Sequence, residues 1–104
     1  AFTVEDDGVV VEEFQTDDPL SAIEAFSRRF NVPDIPGLPR FFGGLVGYFG
    51  YDTVRTVEKR LADSAPPDDL GTPDILLMVS TDVLVFDNMS SRVKFISLTD
   101  PTEP

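Results

Sequence analysis

Histidine and cysteine are both absent from this 104-residue chain, so any chemistry would fall to carboxylates, to two tyrosines, or to lysine and arginine. Disulfides, thiolate ligands and a histidine base for serine or threonine are thereby excluded. Acids occur as four adjacent pairs: Asp6-Asp7, Glu12-Glu13, Asp17-Asp18 and Asp68-Asp69. A hard cation needs several carboxylates converging on one point, whereas sequence neighbours in a strand face opposite ways. Acidic surface is the expectation for all four pairs. The chain is expected to hold no catalytic, cofactor-binding or metal-ligating residue.

The second concentration of unusual residues is Phe41-Phe42-Gly43-Gly44-Leu45-Val46-Gly47-Tyr48-Phe49-Gly50-Tyr51-Asp52, with four of the seven glycines among five aromatics. A phosphate cradle is one reading, but Gly44, Gly47 and Gly50 are three apart, which matches neither G-x-G-x-x-G nor G-x-x-x-x-G-K-[ST]. No lysine follows to reach a phosphate. The segment is too apolar for a linker, so it is expected to be buried, with Gly43, Gly44, Gly47 and Gly50 admitting close approach of another element. Tyr48, Tyr51 and Asp52 sit at its end, Tyr51 as a buried hydrogen-bonding group and Asp52 as a helix cap. Arg40 and Arg55 flank it and are the anion-contact candidates, ordinary surface arginine being the competing reading.

These groups must be carried by one small domain, since the length allows a single modest core. A hydrophobic fraction of 41% with nine phenylalanines indicates a packed segment rather than disorder. No apolar run approaches the roughly 18–20 residues of a membrane span, and no charged-then-apolar leader is present. The absence of cysteine fits a reducing, cytoplasmic setting. Both ends read as cut from something longer. The net charge of −11 is uneven: residues 1–27 carry −8, residues 28–60 carry +3 and residues 61–104 carry −6. Nucleic acid is disfavoured as a partner, because phosphate neutralisation needs clustered lysine and arginine.

The apolar run Gly8-Val9-Val10-Val11-Glu12-Glu13-Phe14 predicts a strand. Asp18 at the N-cap and Pro19 at the first helical position predict a helix whose Leu20, Ile23, Phe26 and Phe30 form one stripe. Glu24 stands four residues before Arg28, Arg28-Arg29 suit the last turn, and Asn31 ends the element. Residues 33–40, with three prolines, predict a loop. The glycine-aromatic segment follows as a strand. Asp52 or Thr53 then caps a short helix with Val54, Val57 and Leu61 on one face. Residues 63–74 form a polar connector. Beyond it lie β segments at 75–79 and 83–86, readable as one bent strand, and a turn through 87–91. The final run 92–98 sets Val93 and Phe95 against Arg92 and Lys94, as in a half-exposed antiparallel strand. The fold class expected is α+β, a mainly antiparallel sheet with two helices.

Residues Phe42 to Arg55, then Val57-Glu58, resemble the N-terminal domain of anthranilate synthase component I, within the chorismate-utilising enzymes. Asp18-Pro19-Leu20 and Pro36-Gly37-Leu38-Pro39 resemble it upstream. Pro66-Pro67-Asp68-Asp69-Leu70-Gly71, Pro73-Asp74 and the run to Val85-Phe86-Asp87 resemble it downstream. The resemblance covers about residues 18–98, and implies that residues 1–104 are a fragment of the non-catalytic domain of a larger two-domain enzyme. Such an enzyme converts chorismate and ammonia to anthranilate and pyruvate using Mg²⁺, in tryptophan biosynthesis, with ammonia from a glutamine amidotransferase partner. The chorismate and Mg²⁺ site lies in the C-terminal domain. The tryptophan feedback site uses a Leu-Leu-Glu-Ser type motif, and a Pro-Tyr-Met stretch of the catalytic domain. Neither occurs here, so no catalytic or tryptophan-binding residue is carried over.

The resemblance gives Gly43, Gly44, Gly47, Tyr48, Gly50, Tyr51, Asp52 and Arg55 a structural role, packing near the interface with the catalytic domain. That expectation requires an exposed apolar face in the segment. Two alternatives stand beside it: aminodeoxychorismate synthase component I, which shares the glycine-aromatic core, and a stand-alone interaction module that forms homo-oligomers through a sheet edge.

Overall fold

The computed structural model describes residues 1–102; Glu103 and Pro104 lie outside the described residues. The chain divides into two units, one formed by Ala1–Asn31 with Phe49–Asp74, the other by Val32–Tyr48 with Ile75–Pro104. Among the described residues, six strands form three two-stranded sheets, accompanied by two α-helices, an α+β arrangement as expected.

In the first unit, β1 (Phe2–Asp6) pairs antiparallel with β2 (Val9–Phe14). Sequence reading missed β1, because Glu5-Asp6-Asp7 looks like solvated loop. Asp7-Gly8 turns the chain with positive φ at both residues (49° and 78°), the two-residue hairpin geometry that Asp-Gly favours. Register shifts between Val4 and Glu5, so Val11 has no direct partner. Helix α1 (Pro19–Ser27) starts as predicted: Asp18 accepts from the Ser21 backbone N–H at 3.1 Å and from its hydroxyl at 2.7 Å. Those bonds hold the Asp18 carboxyl below its usual range.

The helix stops a turn early. Arg28 is the C-cap, and tighter bonds from the N–H of Arg29 to Phe26 O and of Phe30 to Ser27 O replace the expected last turn. The cause is tertiary. Arg29 reaches Glu12 through two bonds at 2.7 and 2.8 Å and lies 5.0 Å over the Phe26 ring. Phe2 stacks on Phe14 at 4.7 Å, and Phe26 meets Phe30 edge-on at 5.7 Å. The expected Glu24–Arg28 pair is present.

The rest of this unit is helical only in pieces: a 3-10 turn Tyr51–Thr53, α2 (Val54–Val57), and a second 3-10 turn Lys59–Leu61. The single helix expected through Leu61 breaks at Glu58, whose backbone is extended (φ −98°, ψ 95°).

In the second unit, β3 (Gly44–Phe49) pairs with β4 (Ile75–Ser80), while β5 (Asp82–Asp87) pairs antiparallel with β6 (Arg92–Ser97). The predicted terminal hairpin is therefore present, and β4 and β5 are two strands in different sheets rather than one bent strand. Asp87 ties the turn, accepting from the backbone N–H groups of Met89 and Ser90 and from the Ser90 hydroxyl. Lys94 Nζ donates to Gly37 O in the proline-rich loop. Among the described residues none is buried, so neither unit encloses a core of its own.

Candidate functional site

The glycines of residues 41–52 act through backbone proximity. Gly43 adopts φ 142°, and a Cβ there would stand 2.9 Å from Leu98 Cδ1 and 3.0 Å from Ser80 O. At Gly47 the constraint is absolute, since a Cβ would lie 1.9 Å from Leu76 O and 2.9 Å from Leu77 Cα. Strand β4 can pass β3 only where that side chain is missing. Gly44, at φ 135°, is less crowded, and Gly50 gives its N–H to Asp74 O at 2.7 Å. The close approach read from glycine spacing is thus a feature of β3 against β4.

Burial of this segment is not observed. Phe41, Val46, Tyr48 and Phe49 are each about half exposed, and Tyr51 is 93% exposed. The expectation that Tyr51 is a buried hydrogen-bonding group is corrected accordingly. The physical reason is that among the described residues β3 has one strand beside it, and a two-stranded sheet cannot cover its own faces. An open groove lined by Phe41, Val46, Met78 and the Ser80–Asp82 corner marks the uncovered side.

Asp52 is not a side-chain cap. The turn at Tyr51–Thr53 begins at Gly50 without a side-chain cap bond, nor does Thr53 cap α2. Asp52 instead accepts from Arg55 Nε at 2.7 Å. Arg55 Nη1 also donates to Leu61 O and to Ser64 Oγ at 3.1 Å, so one guanidinium ties three points of residues 52–64. Arg55 is thereby committed within its own unit and is not an open anion contact. Arg40 is solvent-exposed. Among the described residues, no three acidic side chains gather in a way that could hold a metal. No helix there is long and apolar enough to cross a membrane.

Among the described residues the Glu12–Arg29 pair is the ion pair with the longest reach in sequence, and it escaped sequence reading. Its signal was Glu12 on an alternating strand and Arg29 at a helix end. The Arg29 hydrogen bond holds the Glu12 carboxyl below its ordinary value of 4.5, and reciprocally raises Arg29. A depressed carboxyl stabilises the fold above the unfolded-state pKa and loses that contribution as pH falls through the folded value. Acidification below about 4.5 should therefore loosen the helix from the hairpin. Carboxyl NMR titration checks this: the Glu12 midpoint lies below 4.5 and rises in Arg29→Gln, and equal midpoints would contradict it.

No family model matches the chain, and no solved structure matches it. Curated relatives do. The chain is 61% identical over 97 residues to the protein named Anthranilate synthase component 1 from Pseudomonas aeruginosa. It is 62% identical over 97 residues to that of Pseudomonas putida, and 51% identical over 100 residues to that of Neisseria gonorrhoeae. Each match takes in 93% of this chain but 20% of the relative, so the chain spans about a fifth of their length. The resemblance to the N-terminal domain of anthranilate synthase component I is borne out by these relatives.

Proposed function

We propose that this chain is the non-catalytic, N-terminal part of an anthranilate synthase component I. The parent enzyme converts chorismate and ammonia to anthranilate and pyruvate, for tryptophan biosynthesis in the cytoplasm. A glutamine amidotransferase, separate or fused, delivers the ammonia. The observation that carries the proposal is the 49–62% identity over 93% of the chain to proteins of that one name.

In this reading the chain works as scaffold. Chorismate and Mg²⁺ are held by the C-terminal domain of the parent. Residues 41–52 lie beside that domain, and their half-exposed Phe41, Val46 and Phe49 become covered on assembly. Gly47 keeps β4 against β3, and Arg55 fixes the turns that follow, so both act on the shape of the supporting surface.

The test is the product made by the full-length parent given chorismate, Mg²⁺ and ammonium. Anthranilate and pyruvate are expected. Aminodeoxychorismate would move the chain to the folate branch, and no turnover of chorismate would favour a non-enzymatic interaction module.

A further inference from the structure

We draw no further inference here: the strongest candidate, the open groove of the second unit lined by Phe41, Val46, Met78 and the Ser80–Asp82 corner, carries nothing, because nothing in the structure shows what covers it.

Discussion

Gly47→Ala in the full-length parent is expected to destabilise it by on the order of 3 kcal/mol or more, at the upper end for a single methyl added to a packed site. On an unstrained backbone, glycine to alanine stabilises by about 0.4–1 kcal/mol through the unfolded chain. Here the added carbon would sit 1.9 Å from the Leu76 carbonyl oxygen, and no rotamer change can move a Cβ or a backbone oxygen. Relief requires β4 to leave β3. Gly43→Ala meets a milder clash, since the Leu98 side-chain end at 2.9 Å can yield and the Ser80 carbonyl oxygen stands 3.0 Å away, but its φ of 142° adds a backbone strain that Gly47 does not carry. Gly37→Ala meets nothing within 4 Å and is strained only by its φ of 89°, worth about 1 kcal/mol. Denaturant unfolding gives the ranking. Equal midpoints for Gly47→Ala and Gly37→Ala would contradict the strand crossing described here.

Arg55→Ala should be the next most damaging, at on the order of 1–2 kcal/mol, since charge-assisted hydrogen bonds to partly covered groups contribute about that much. Its guanidinium joins Asp52, Leu61 O and Ser64 across the break in helical structure at Glu58. The loss is moderated because Leu61 O keeps bonds from Ser64. Arg55→Lys should recover little, because an ammonium cannot span the same acceptors as a planar fork. A double-mutant cycle with Asp52→Ala isolates the ion-pair share. Full recovery by lysine would show that charge alone, rather than geometry, is what the site needs.

Legibility followed the range of the interactions involved. The start of α1 was plain, because Asp18, Pro19 and Ser21 act within one turn of each other. Its end was not, because Arg29 is drawn to Glu12, 17 residues back along the chain. Alternation along 92–98 identified a strand paired in a hairpin. It did not say which row is covered: the apolar row Val93 and Phe95 faces water, while Lys94 points to the loop carrying Gly37. Asp52 and Arg55 were legible as members of one motif, though their bond to each other was not, since capping and i,i+3 pairing use the same residue types. The glycine-aromatic segment showed the same limit. Its composition demands cover, yet among the described residues Phe41, Val46 and Phe49 stay about half exposed, which composition alone could not reveal.

The function proposed above, support of a chorismate-converting enzyme by a chain without its catalytic groups, is tested by anthranilate fluorescence, measured with chorismate, Mg²⁺ and ammonium on the 104-residue chain and on the full-length parent at equal concentration. Anthranilate is expected from the parent, and none above the uncatalysed background from the chain alone. Anthranilate formed by the chain alone, at a rate proportional to its concentration, would contradict it.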